Sequence, residues 1–248
     1  IYRGVLTGYN EAFIIDGKKK DELIAQDPKS AEIIRPILRG RDVKRYASNF
    51  QDLWLLNIHN GIKDLNVPYV NINDYPAIKA HLDLFYPQLK KRQDKGVTPY
   101  NLRNCAYLDD FFKQKIAYND ITQRLSFCFV EEGIFFNNTV YFISENDNME
   151  YLLAYLNSKL IDWYYKSLSV QLGEKAVRMF SIYVLEIPIP KPSPEIENQL
   201  IALIKNLQKN KRQGQETKLI EQEIDNLVYS SYKLTLEEKG VIDKYYTK

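Results

Sequence analysis

The amino-acid sequence predicts an α+β fold: a twisted, largely antiparallel sheet region with packed helices, then a C-terminal helical hairpin. Three observations predict it. Short runs rich in β-branched and aromatic residues recur at Leu53–Ile58, Lys115–Tyr118, Ser126–Val130 and Thr139–Ile143. Apolar patterns of helical spacing, opened by proline, lie around them. Beyond "EIPIPKPSP" (Glu186–Pro194) the texture changes to helix, loop, helix with narrow apolar seams.

Taken in order, "GVLTGYNEAFIID" (Gly4–Asp16) sets Val5-Leu6 and Ala12–Ile15 around a polar hinge of Thr7, Gly8, Tyr9, Asn10 and Glu11. It reads as strand, tight turn, strand, closed by a second turn at Asp16-Gly17 before three lysines. Thr7 and Asn10 suit turn bonds to the backbone, a role that competes with direct contact to a partner. Asp27-Pro28 is an N-cap followed by proline at the first helical position, so a helix starts there. Pro36 disfavours helical geometry at Arg35 and ends it.

Leu53–Ile58 is the first clear strand. Pro76 then opens a helix carrying Ala77, Ile78, Leu82 and Phe85, which Pro87 kinks or ends. Among the later strands, turn residues Glu131-Glu132-Gly133 and Asn137-Asn138 bracket "IFF" (Ile134–Phe136), so this part reads as a small antiparallel meander. Tyr151–Lys166 places Leu152, Leu153, Leu156, Leu160, Ile161 and Trp163 on a broad apolar face, the pattern of one mostly buried helix.

Alternating prolines in Glu186–Pro194 force an extended chain and mark a boundary between modules. Ser193 caps a helix with Pro194 in its first position and Ile196, Leu200, Leu203 and Leu207 along one seam. Polar Lys209–Glu216 separates this from Leu219, Ile220, Ile224, Leu227 and Val228, and Thr235 with Glu238 forms a capping box for a last helix. The expected division is residues 1–190 and a helical spacer, 191–248.

Composition narrows the function classes. With 248 residues, 45% hydrophobic and 27% charged, the chain matches an ordinary globular protein with a sizeable core. No run approaches the roughly 18 apolar residues of a membrane span, and no signal peptide is visible. Two cysteines, Cys105 and Cys128, make no disulfide framework, and a reducing cytoplasm is the expected location. The chain begins at Ile1, which suggests a piece of something longer. Net charge is only +2, but cations cluster at Lys18–Lys20, at Arg39, Arg41, Lys44 and Arg45, and at Lys90–Arg92 with Lys95. Such clusters read as solvated faces or as a phosphate-tracking stripe.

The chemistry of catalysis is mostly missing. No G-x-G occurs among ten glycines, so a Rossmann-type nucleotide or methyl-donor site has no support. An Asn/Asp-Pro-Pro-Tyr/Phe loop for an exocyclic amine is approached only by "VPY" at Val67 and "TPY" at Thr98, which lack the amide and the second proline. His59, His81 and the scattered cysteines do not make a triad or a zinc site. The nuclease-like strings at Asp16 and Glu237 have better local roles as turn and capping box. The chain alone is therefore expected not to be an enzyme, with no catalytic and no metal residues.

Recognition remains. "RGRDVKRY" (Arg39–Tyr46), "TPYNLRN" (Thr98–Asn104) and "NDITQR" (Asn119–Arg124) place amides, hydroxyls and guanidiniums on loops beside the meander. Arg can read guanine and Asn or Gln adenine through paired bonds, whereas Lys and Thr mainly hold phosphates. The candidate DNA-binding residues are Arg39, Arg41, Lys44, Arg45, Lys91, Arg92, Lys95, Asn101, Arg103, Asn119, Thr122, Gln123 and Arg124. Arg41-Asp42 reads equally as a structural ion pair.

These strings carry a resemblance. "RGVLTGYNEAFIID" and "DPKSAEIIRPILRGRDVKRY", followed by "YPAIKAHLDLF", "RQDKGVTPYNLRNCAY", "KIAYNDI", "FFNNTVYFI", "LLAYLNSKL" and "EIPIP", resemble the TaqI-like C-terminal specificity domain of adenine-specific DNA methyltransferases and fused restriction-modification enzymes. The helical tail is similar to the helical spacers of type I specificity subunits and fused type II enzymes. The resemblance implies a sequence-specific module for double-stranded DNA, linked in its parent chain to a methyltransferase domain with or without a nuclease. S-adenosylmethionine would belong to that other domain, and no cofactor to this piece. It transfers no base contacts, because the family's loops vary with the site read. A stand-alone metal-dependent nuclease and a subunit-assembly module are the alternatives.

Overall fold

The computed structural model describes residues 1–144, 149–173 and 176–246. In chain order the strands are β1 (Tyr2–Arg3), β2 (Ile14–Asp16), β3 (Ile34–Leu38), β4 (Val43–Lys44), β5 (Ala47–Ser48), β6 (Leu53–Leu56), β7 (Lys115–Asn119), β8 (Ile121–Thr122), β9 (Phe127–Val130), β10 (Phe135–Phe136), β11 (Val140–Ile143), β12 (Gln171–Leu172) and β13 (Ala176–Arg178). The helices are α1 (Asn10–Phe13), α2 (Gly17–Gln26), α3 (Pro76–Asp83), α4 (Tyr86–Lys91), α5 (Met149–Asn157), α6 (Lys159–Leu168), α7 (Ser181–Leu185), α8 (Pro194–Arg212), α9 (Lys218–Ser231) and α10 (Leu236–Tyr246). The class is α+β, as predicted.

The strands form several small sheets among the described residues rather than one. β1-β11-β7-β9 is antiparallel throughout, and β10-β3-β6-β2 contains one parallel pair, β10 with β3. β12-β13-β8 and the β4–β5 ladder complete the set. The position of β7 explains why it is almost wholly buried. Side chains alternate across a strand, so Ala117 enters one core with Phe111 and Phe142, while Ile116 and Tyr118 enter a second with Phe127 and Leu153. The sheet is the wall between two cores.

The second core crosses the boundary expected after residue 190. Leu200, Ile204, Ile224 and Val228 of α8 and α9 pack with Leu153, Leu156 and Ile161 of α5 and α6. The helical tail thus docks on the body it follows. Its caps are those the sequence predicts: Ser193 Oγ accepts the Ile196 N–H at 3.4 Å, and Thr235 and Glu238 exchange bonds at 2.7 and 3.3 Å.

Six local expectations are corrected. The opening segment is no hairpin: Val5 bridges Asn137 in parallel, and β2 pairs with β6. A Cβ on Gly4 would lie 2.0 Å from the Asn137 carbonyl oxygen, so only glycine permits that approach. Asp16 caps α2 by accepting the Lys19 N–H at 2.8 Å, and makes no second turn. Thr7 does tie the bend, accepting the Tyr9 N–H and donating to Asn10 Oδ1 at 2.6 Å.

The helix expected from Pro28 is a short 3-10 turn, Pro28–Glu32, and the residues around Pro36 form β3. Pro87 sits in the first turn of α4, where a missing N–H costs nothing, so it opens a helix. "IFF" leaves the meander, because Phe135 and Phe136 pair with Ile37 and Leu38 of β3.

The single helix expected over Tyr151–Lys166 is two. Ser158 takes an extended backbone and caps α6 through Ile161. The polar residues at the break hold the sheet. Asn157 Oδ1 accepts the Phe127 N–H at 3.0 Å and its Nδ2 donates to the Phe127 carbonyl at 2.9 Å, while Asp162 accepts the Leu125 N–H at 2.7 Å. Asn157 and Asp162 are fully buried, so leaving those main-chain groups unpaired would be costly. Pairing them outweighs an unbroken helix.

Candidate nucleic-acid interface

The sequence-selected residues fall into two groups, and no hydrogen bond or ion pair among the described residues joins them. The first surrounds "RGRDVKRY". Its 3-10 turn, Gly40–Asp42, is locked by Asp42, which accepts the Arg39 backbone N–H at 2.8 Å, Nε at 2.9 Å and Nη2 at 3.1 Å. Burial alone would raise the Asp42 carboxyl, but the Arg39 bonds outweigh it and hold the group below the usual carboxylate range. The ion pair expected for Arg41 therefore belongs to Arg39. Arg41 and Lys44 stand exposed.

Arg45 turns the other way. Its Nε donates to Glu221 Oε2 at 3.0 Å and Nη1 to the Asn157 carbonyl, which ties the β4–β5 turn to α9 and to the end of α5. Burial lowers its pKa, yet Tyr46, Glu221 and Asp225 around it leave it above the ordinary arginine value. Tyr46, at the turn with φ of 66°, donates its N–H to the Phe127 carbonyl at 2.8 Å. Asn119 Nδ2 donates to the Val43 carbonyl at 3.3 Å, and its enclosed Oδ1 accepts nothing. Thr122 Oγ1 donates to the Arg124 carbonyl, closing the loop after β8. Gln123 is exposed, and so is Arg124, whose guanidinium lies 5.7 Å from the Tyr246 ring centroid.

The second group follows α4. Lys91 and Lys95 are exposed, Lys95 donating to the Lys90 carbonyl at 2.9 Å. Arg92 is buried. Its guanidinium donates to the carbonyls of Thr7 at 2.6 Å and Pro99 at 3.0 Å, and to those of Asp94 and Asn101. Burial pushes its pKa down to about 10. Asn101, 1% exposed, accepts from Thr98 Oγ1 at 2.6 Å and donates to the Val70 and His59 carbonyls at 2.9 and 3.3 Å. Arg103 is exposed and lies 3.2 Å from Asp94.

The bonds of Arg45, Arg92 and Asn101 are thus used inside the protein, whereas Arg41, Lys44, Lys91, Lys95, Arg103, Gln123 and Arg124 face solvent. Sequence reasoning passed over Arg3 and Thr139 beside the Asn137-Asn138 turn. Arg3 Nε donates to the Asn138 carbonyl at 2.7 Å, and Thr139 Oγ1 accepts the Gly40 N–H at 3.0 Å. "NNT" carried only a turn signal. Lys205 and Arg212 were also passed over. With Ser48 and Glu131 they line a cavity of about 380 Å³ between β5, β9 and α8, which no local string announces. Among the described residues no three His, Cys, Asp or Glu side chains converge to hold a metal ion, and no helix is long and apolar enough to cross a membrane.

Polar loops carried on a two-core α+β body, closed by docked helices, are compatible with the class that the family match gives, a specificity domain. The chain belongs to the TaqI-like C-terminal specificity domain family, whose model matches residues 35–189. It is 24% identical over 238 residues to the type II methyltransferase M.MjaIV of Methanocaldococcus jannaschii, covering 92% of this chain and 77% of that protein. It is 20% identical over 244 residues to the type II methyltransferase M.BstVI of Geobacillus stearothermophilus, covering 96% of this chain and 40% of that protein. The fold is similar to that of the type IIL restriction-modification enzyme MmeI solved in complex with DNA, with a TM-score of 0.72 and 15% identity over 94% of this chain and 32% of that one.

Proposed function

We propose that this chain is the double-stranded DNA target-recognition module of a restriction-modification N6-adenine methyltransferase, and that the covalent step belongs to another domain of the same parent chain. The observation that carries this reading is the placement of solvent-facing Arg41 on the turn before β4, Lys44 on β4, and Gln123 and Arg124 in the β8–β9 connection, all within the family-matched span. Among the described residues these cations form no direct ion pair, with Asp42 and Asp225 acting on Arg41 and Arg124 only at longer range, so phosphate can replace water around them at little cost.

The division of labour has a physical basis. Rotating an adenine out of a duplex costs a few kcal/mol, and a second domain gripping the DNA offsets that cost while it selects the sequence. S-adenosylmethionine would be held by the methyltransferase domain, and this chain would supply neither donor site nor catalytic base.

Titration of the chain with duplex DNA over a range of salt tests the reading. Weak binding is expected at low salt, with affinity falling steeply as salt rises. Replacing Arg41 or Lys44 by alanine should reduce the log–log salt slope by about 1 each. Absence of duplex binding at low salt, even with a methyltransferase domain restored, would overturn it. Plasmid incubated with Mg²⁺ should stay intact, whereas cleavage would favour a self-sufficient nuclease.

A further inference from the structure

A cavity of about 240 Å³ opens beside the first core. Its floor is the β3–β6 ladder. Arg35 pairs with Leu55, and Asn57 donates its N–H to the Ile33 carbonyl at 2.8 Å, so Arg35 and Asn57 are diagonal neighbours on one face of the sheet. Ile62, Leu108 and Phe112 supply apolar walls, and Leu65, 55% exposed, stands at the mouth.

The polar groups of this cavity are incompletely paired. Asn57 is 4% exposed, yet its Oδ1 accepts no hydrogen bond. Arg35 spends Nη1 on the Ile34 carbonyl at 2.9 Å and Nη2 on the Glu32 carbonyl at 2.6 Å, while its enclosed Nε donates to nothing. No carboxylate pairs with it among the described residues, and its guanidinium lies 5.7 Å from the Phe112 ring centroid. His59 Nδ1 accepts the Gly61 N–H at 3.1 Å, so the proton of the neutral ring sits on Nε2, a further donor in the lining.

Buried donors and acceptors are rarely left unmatched, and this set selects among ligands. Glu32, which accepts from the Tyr75 hydroxyl at 3.0 Å, and Asp109 also line the cavity, but no three His, Cys, Asp or Glu side chains converge among the described residues and Arg35 stands beside them, which disfavours a metal cation. A bare anion would satisfy Arg35 Nε but repel Asn57 Oδ1. An alkyl chain would satisfy neither. The volume exceeds several water molecules at about 30 Å³ each, and an aromatic wall beside an arginine favours a flat ring.

We propose that this cavity binds a planar nucleobase-type ring, whose edge offers an N–H to Asn57 Oδ1 and an acceptor to Arg35 Nε while its face lies against Phe112. The ring could come from a free base or from a nucleotide extruded by a nucleic acid. The two sources share the chemistry and are separable by experiment.

Free adenine and cytosine are titrated into the chain by calorimetry, with the Asn57 side-chain amide followed by NMR. Saturable binding in the millimolar range or tighter is expected, with a shift of the Asn57 amide and a loss of tenfold or more in Asn57→Leu and Arg35→Met. Phe112→Ala, which leaves the ladder intact, should weaken binding as well and serves if either variant fails to fold. Duplexes carrying 2-aminopurine then assign the source. A fluorescence rise that Asn57→Leu abolishes identifies an extruded base, and free-base binding without any rise identifies a free ligand. No binding at about 10 mM, or binding that none of the three substitutions alters, overturns the proposal. The free-base arm is decided even if the chain binds no duplex.

Discussion

The two cores hold their enclosed cations in different ways. In the first, Arg35, Arg92 and Lys115 rest on main-chain carbonyls. Lys115, fully buried, donates to Phe111, Lys113 and Glu131 at 2.7, 2.9 and 3.0 Å. In the second, Arg45 meets Glu221 at 3.0 Å, and Lys166 meets the fully buried Asp162 at 2.8 Å. The ionisation follows the partner. Burial lowers Arg35, takes Arg92 to about 10 and takes Lys115 to about 8. Arg45 is raised, because Tyr46, Glu221 and Asp225 around it outweigh its desolvation. Carbonyl dipoles satisfy the donors but do not cancel the charge, so a carbonyl-held cation organises loops and keeps its net charge. A carboxylate-held one is neutralised, whether its partner lies within the same helix, as for Lys166 in α6, or far along the chain, as for Arg45.

That contrast is broken most severely at Arg92. Arg92→Met strands the carbonyls of Thr7, Asp94, Pro99 and Asn101 at once, and a loss of about 3–5 kcal/mol in urea unfolding is expected. Next in size is the pH dependence set by Lys115. Its folded pKa of about 8 lies below the unfolded value, so the folded state binds fewer protons between about 8 and about 10.4, and stability should rise with pH across that window. The total rise is about 3 kcal/mol for the full shift, and Lys115→Met should remove it from thermal melts recorded along the pH series.

The Arg45–Glu221 pair sharpens the contrast from the other side. A double-mutant cycle with Arg45→Met and Glu221→Gln should give a coupling of about 1–3 kcal/mol. Burial raises the Glu221 carboxyl, but Arg45, Thr217 and Lys211 outweigh it and leave its pKa lowered. A depressed folded pKa contributes stability above the unfolded value and loses it as pH falls, so Glu221→Gln should flatten the acid limb below about pH 4.5. Asp225 lies next to it and goes the opposite way, raised chiefly by burial, which costs stability at neutral pH. Asp225→Asn keeps an acceptor for the Lys159 N–H and should fall within about 0.5 kcal/mol of the parent. The smallest effect belongs to the solvent-facing cations. Arg41→Ala should move stability by less than about 0.5 kcal/mol while lowering duplex affinity, which would separate binding from folding in one variant.

Many signals were legible where the chemistry was local, although Asp16 and Pro87, which serve the first turns of α2 and α4, were misread. The strands at Lys115, Phe127 and Val140, the proline start at Pro76, the Ser193-Pro194 cap and the Thr235–Glu238 box all depend on residues a few positions apart. The resemblance, carried by strings such as "LRGRDVKRY", led to the right family. The other misread elements include ones that depend on partners far along the chain. β3 and β10 find each other across about a hundred residues, and the helix break at Ser158 exists because Phe127 and Leu125 need Asn157 and Asp162.

The amino-acid sequence by itself determined the class of fold, most of the secondary elements and the family, since periodicity, capping and motif order are properties of neighbouring residues. Which cations remain free to meet a polyanion was decided only by the tertiary structure. Arg39, Arg41 and Arg45 share one string, yet Asp42 takes the first, solvent keeps the second, and Glu221, 176 residues away, takes the third. Burial and pairing of a charge depend on what the rest of the chain brings beside it, and that information is not local.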